Sequence, residues 1–137
     1  MKKLIATVLA SAALLSIGTS YAHADDDTNQ YQIRVQPTAT YKLAPQEFSV
    51  YADRYQLNTG DKLQLRQTLS HYYAKLNHGT EVEIYPQQPG VFVASTGTRL
   101  EFSNDGDDLL MINAGTLPGA SAALAGQPDG SKQMAAR

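Results

Sequence analysis

Between positions 48 and 112 apolar and polar residues alternate in short runs divided by turn-forming residues, the two-residue period of strands that bury one face and wet the other. Lys62-Leu63-Gln64-Leu65-Arg66 alternates strictly, with Leu63 and Leu65 inward. The run 70–76 puts Tyr72, Ala74 and Leu76 on one face and His71, Tyr73 and Lys75 on the other. Glu81-Val82-Glu83-Ile84-Tyr85 and Arg99-Leu100-Glu101-Phe102 repeat the pattern, and a short strand is expected at 91–95. A slip of one residue would bury Glu or Arg and expose Leu or Phe, so the register is strongly specified. Turns are expected at 58–61, 77–80, 96–98 and 104–107, each supplied with Asn, Gly, Asp or Thr.

The flanks are less regular. Tyr31, Ile33 and Val35 alternate with polar residues until Pro37, which predicts a first strand, and 38–46 reads as a connection. The β-formers of 48–57 predict a strand before the 58–61 turn. The unbroken Leu109-Leu110-Met111-Ile112 run predicts a final strand at 108–113 covered on both sides. Beyond 113 the composition shifts to Ala, Gly, Ser and Pro without a period, which predicts a flexible tail over 114–137 with at most a short helix near 120–125. The expected fold is all-β: an antiparallel up-and-down meander over 31–113 that curls into a half-barrel or small barrel. A parallel sheet would need crossover helices that the pattern lacks.

The first 24 residues read as a secretory signal peptide. Lys2 and Lys3 precede an apolar run over 4–17, and Ala22-His23-Ala24 is a small-residue cleavage pattern before Asp25-Asp26-Asp27. The remaining polar stretch, 25–30, is expected to be disordered. With the leader removed, no segment approaches the roughly 18 apolar residues of a membrane helix, so no integral membrane segment is expected and the product is placed in the periplasm or outside the cell. The 137 residues leave room for one domain. The formal charge of −2 becomes more negative without Lys2 and Lys3, and the other basic residues are scattered along the sequence. Nucleic acid is therefore excluded as a partner, and direct adhesion to an anionic membrane is not expected.

Candidate chemistry is sparse. There is no cysteine, hence no thiolate nucleophile, disulfide or lipid-anchored cysteine. No serine lies in a G-x-S-x-G or S-x-x-K setting; Ser70 is followed three residues on by Tyr73. His71 and His78 would lie near opposite ends of one strand, roughly 23 Å apart, too far for one metal ion. A cut after Ala22 would make His23 a copper-chelating N-terminus, whereas a cut after Ala24 removes it. Asp105, Asp107 and Asp108 are the candidate metal ligands, but the loop lacks the closing Glu of a calcium site and reads better as a hairpin turn. His71, Tyr73 and Lys75, an aromatic ring between two donors on the solvent face, are the candidate ligand-binding residues. No cofactor is expected.

Tyr51-Ala52-Asp53-Arg54-Tyr55-Gln56-Leu57, Gly60, Leu63-Gln64-Leu65, Tyr72-Tyr73-Ala74-Lys75-Leu76, Glu83-Ile84-Tyr85-Pro86, Phe92 and Leu100-Glu101-Phe102 carry a resemblance. Over about 65 residues the chain resembles a small lipocalin-like β-domain. That domain is found as stand-alone exported bacterial proteins without an assigned activity and appended to penicillin-binding-protein-like serine hydrolases. The family's usual glycine between the two tyrosines is Ala52 or Asp53 here. The resemblance implies a curved sheet and an envelope location, and it transfers no catalytic residue.

The leading expectation is a non-enzymatic exported β-domain that binds an envelope partner or a small apolar ligand. The alternative is a purely structural or accessory protein without a ligand, and a metal-binding protein or enzyme comes third. Intact-mass analysis of the exported product is expected to show Asp25 as its first residue; a product beginning at His23 would instead restore the copper reading.

Overall fold

The computed structural model describes residues 36–137. The expected signal peptide, the polar stretch at 25–30, the strand at 31–35 and His23 lie outside the described residues. Eight antiparallel strands close into a barrel in chain order: β1 Arg54–Leu57, β2 Lys62–Thr68, β3 His71–Leu76, β4 Val82–Gln88, β5 Val91–Ala94, β6 Arg99–Ser103, β7 Asp108–Ile112 and β8 Lys132–Ala136. The up-and-down all-β expectation holds, with the sheet fully closed. Alternation sets the inside. Tyr55, Leu57, Leu63, Leu65, Tyr72, Leu76, Ile84, Phe92, Leu100, Leu109 and Met111 are all buried and, with Phe102 packed against them, fill the interior.

Two segments depart from the expected pattern. Strand β1 begins only at Arg54, because Pro45–Phe48 forms a single helical turn, α1. Pro45 presets the first helical φ, and the Glu47 carboxylate accepts the Ala44 amide at 2.7 Å. This turn delivers Phe48 into one end of the barrel, where its ring lies 4.5 Å from Tyr72 and 5.7 Å from Phe92. Val50 of the expected strand is left exposed.

The second departure is the expected flexible tail, which is structured. After a 3-10 turn at Ala114–Thr116 and the short helix α2 (Ala122–Ala125), β8 pairs with β7 from Asp108↔Ala136 to Ile112↔Lys132 and with β1 through Gln56↔Ala136 and Leu57↔Ala135. The outward side chains of β7, Leu110 and Ile112, are half-buried, so the continuous apolar run has a packed inner face and a partly covered outer one.

Both barrel ends are stoppered. Leu117 and Leu124 enter the end opposite Phe48. Their segment lies directly on the β3–β4 turn: a Cβ on Gly79 would sit 2.0 Å from the Pro118 carbonyl oxygen, so only glycine fits there. Asp61 ties the same end together. Its buried carboxylate accepts from Thr59 Oγ1 at 2.6 Å, Asn77 Nδ2 at 2.6 Å and Ser121 Oγ at 2.8 Å. Burial pushes this carboxyl up, but the three hydrogen bonds outweigh it and hold the group below its ordinary value.

A carboxyl depressed in the folded state contributes stability that is complete above its unfolded value and lost as pH falls through the folded one. Thermal melting is therefore expected to drop as pH is lowered below about 4, with a smaller drop in Asp61→Ala. At neutral pH that variant is expected to lose about 1–3 kcal/mol, from Asn77 and Ser121 left without their acceptor.

Candidate functional site

Because the interior is occupied by side chains, recesses able to accept a ligand lie on the outer surface. One, of about 560 Å³, lies between the segment 38–45 and the β3–β4 hairpin. Strand β3 ends opposite Tyr85, and the chain's own N-terminal segment takes its place beside β4: the Thr40 and Tyr41 amides donate to the Pro86 carbonyl at 3.0 and 3.2 Å. A proline is tolerated in β4 because no third strand needs its missing N–H at that point. Tyr41 and Pro45 line one side, and His71, Tyr85 and Pro86 the other.

One polar group set converges on this apolar cleft. His71 Nδ1 lies 2.6 Å from Glu83 Oε1, and the Tyr85 hydroxyl donates to Glu83 Oε2 at 3.0 Å. Glu83 thus bridges an imidazole and a phenol. Burial and the Glu83 carboxylate both raise the Tyr85 hydroxyl above its ordinary value, so it stays a donor at neutral pH. The geometry is that of a binding surface with a donor or acceptor nitrogen at its rim. Ser70 also lines the cleft, but no hydrogen bond joins it to His71.

The residue just before Ser70 of the cleft lining is uncommon. Leu69, at the tip of the β2–β3 hairpin, holds a left-handed φ of +55° and is 86% exposed. A bulky side chain in that region of φ is strained, by roughly 1–2 kcal/mol.

The three candidate ligand-binding residues share one face of β3 but not one site. His71 belongs to the cleft just described. Tyr73 lies under the Arg66 guanidinium, 5.1 Å from the ring centroid, and Arg66 is in turn held in a bidentate pair by Glu81. Its ring is thereby half-buried and covered. Lys75 opens onto a second recess of about 490 Å³ over β1–β3. Sequence spacing did not indicate the part played by Glu83 or Tyr85, whereas Tyr41 and Leu43 of the connection, expected to pack on the sheet's rim, do pack against the core. The alternation showed only that Glu83 and Tyr85 share the outer face of β4.

Of the candidate metal ligands, Asp105 and Asp107 sit in the β6–β7 connection, where a 3-10 turn at Asn104–Gly106 makes the hairpin, and Asp108 opens β7. Arg137 occupies this loop: its guanidinium reaches Asp107 Oδ1 at 3.1 Å and the Asp105 carbonyl at 2.9 Å. The Asp108 carboxylate accepts from the Asn104 amide. Among the described residues no three His, Cys, Asp or Glu side chains are grouped as a metal site, and no helix is long and apolar enough to cross a membrane. No protein-family model, curated protein or solved structure matches this chain.

Proposed function

We propose that this protein is an exported, non-enzymatic β-barrel that binds an envelope partner protein on its outer surface, at the cleft between the segment 38–45 and β3–β4. The observation that carries this reading is the strained, exposed Leu69, which immediately precedes Ser70 of the apolar recess's lining. Backbone strain and an exposed apolar side chain both cost stability or solubility, and they persist where binding uses them. Leu69 would insert into the partner while an apolar side chain of the partner enters the cleft, with His71 and Tyr85 offering the directional contacts. A small apolar ligand is the second form of the reading, and it too would have to bind in this cleft, because the barrel lumen is filled. The filled lumen equally suits an accessory protein that acts through its surface alone.

A photo-crosslinking residue placed at 69 in the exported protein is expected to give one discrete adduct in cells, weakened by His71→Ala, while the same probe at Lys132 gives none. Leu69→Asn, whose side chain tolerates left-handed φ, is expected to stabilise the barrel by about 1 kcal/mol and abolish the contact. A stabilised Leu69→Asn variant that still forms the full set of envelope contacts would refute the proposal.

A further inference from the structure

The second outer recess is independent of that cleft and has opposite chemistry. Sequence order scatters the basic residues, but the closed register gathers three of them. Arg54 of β1 pairs with Gln64 of β2, which pairs with Lys75 of β3, so the three outward side chains stand in one row across the sheet. At about 4.8 Å between strands, Arg54 and Lys75 are about 10 Å apart at the backbone, within reach of a shared ligand for side chains of their length. Lys62, opposite Gln56, lies two positions along β2 on the same face. With His78 these residues line a recess of about 490 Å³.

Arg137, which also borders the recess, is engaged by Asp53 and Asp107, but the other three cations are unspent among the described residues. Among the described residues neither Arg54, Lys62 nor Lys75 forms a side-chain ion pair, and Gln56 and Gln64 make no side-chain hydrogen bond. The carboxylates bordering the patch are engaged elsewhere. Glu81, across from Lys75, is taken by Arg66; Asp53 by the Arg54 amide and Arg137; Asp61 by Thr59, Asn77 and Ser121. A chain with a net charge of −2 thus carries a local concentration of positive charge interleaved with neutral amide donors.

We propose that this recess is a binding site for a small solute bearing two or more phosphate groups. Three fixed positive charges, one of them a guanidinium able to grip oxygens bidentately, complement a compact polyanion, and the two amides supply uncharged donors between them. A lipid surface fits less well, because the exposed large apolar residues, Val50, Leu69 and Met134, do not line the recess and so offer no anchor beside the charges.

Isothermal titration calorimetry of the purified protein with inorganic pyrophosphate is the test. Saturable binding that weakens with salt is expected, with affinity lowered about tenfold by Lys62→Gln and again by Lys75→Gln, each removing one charge-assisted contact. Lys42→Gln and Lys132→Gln, which remove a charge elsewhere, are expected to bind as the parent does. Vesicles containing anionic phospholipid should not bind. If they bind and pyrophosphate displaces them, the phosphate source is a headgroup and the site stands. Absence of pyrophosphate binding at millimolar concentration, an equal loss in the Lys42 and Lys132 variants, or binding of polyglutamate that pyrophosphate does not displace would overturn the assignment.

Discussion

The pairing of β8 with β1 is the constraint on which the rest depends. Without it the chain is an eight-stranded curved sheet with two open edges, β1 and β8, and one face of large apolar side chains facing water. With it every strand has two neighbours, and the backbone groups of β1 and β8 that would otherwise be edge groups are hydrogen-bonded. The seam is short, only Gln56↔Ala136 and Leu57↔Ala135, with the Asn58 amide donating to the Met134 carbonyl at 3.1 Å. It is reinforced at one end by Arg137. The guanidinium joins the Gly106 carbonyl at 3.1 Å, the Asp107 carboxylate and, more loosely at 3.4 Å, Asp53 just ahead of β1. Tyr55 shares the Gly106 carbonyl at 2.7 Å from within, and burial raises its hydroxyl to about 12.

Closure on so few residues per strand leaves an interior just wide enough for side chains. Aromatic rings take one end, where Phe48, Tyr51, Tyr72, Phe92 and Phe102 meet at centroid distances of 4.5 to 6.4 Å. Leucines and alanines take the rest. A barrel packed in this way has no lumen to offer a ligand, so binding chemistry has to be sought on the convex face. There the alternation of the strands places two distinct neighbourhoods side by side: an apolar cleft with a bridged histidine and an open cationic recess. They are separated by the Arg66–Tyr73–Glu81 stack, whose charges satisfy one another.

The central strands were legible because each alternates strictly and is bounded by residues that turn. Leu63, Leu65, Ile84 and Leu100 point inward as their parity requires. The closing strand was not legible. Lys132-Gln133-Met134-Ala135-Ala136 has weak β-formers and only one large apolar residue, and that residue, Met134, faces out. Its conformation is imposed by two waiting edges and not by its own propensity. The helical turn at Pro45–Phe48 was hidden for the opposite reason, since Phe48, Val50 and Tyr51 read as strand formers while Pro45 and Glu47 set the turn. Of the candidate sites, His71 was visible as an outward polar residue, but the wall contributed by 38–45 depends on a long-range contact with Pro86. The Arg54–Lys62–Lys75 grouping depends on register between three strands, which spacing along one sequence does not express.

The claim that the chain closes on itself is tested most directly by nuclear Overhauser contacts between backbone protons across the β8–β1 seam. The account predicts cross-peaks joining Leu57 to Ala135 and Gln56 to Ala136, together with those joining Leu109 to Ala135. Random-coil shifts over 132–136 and no cross-peak to Leu57 would show an open sheet, and the filled, closed barrel would have to be abandoned.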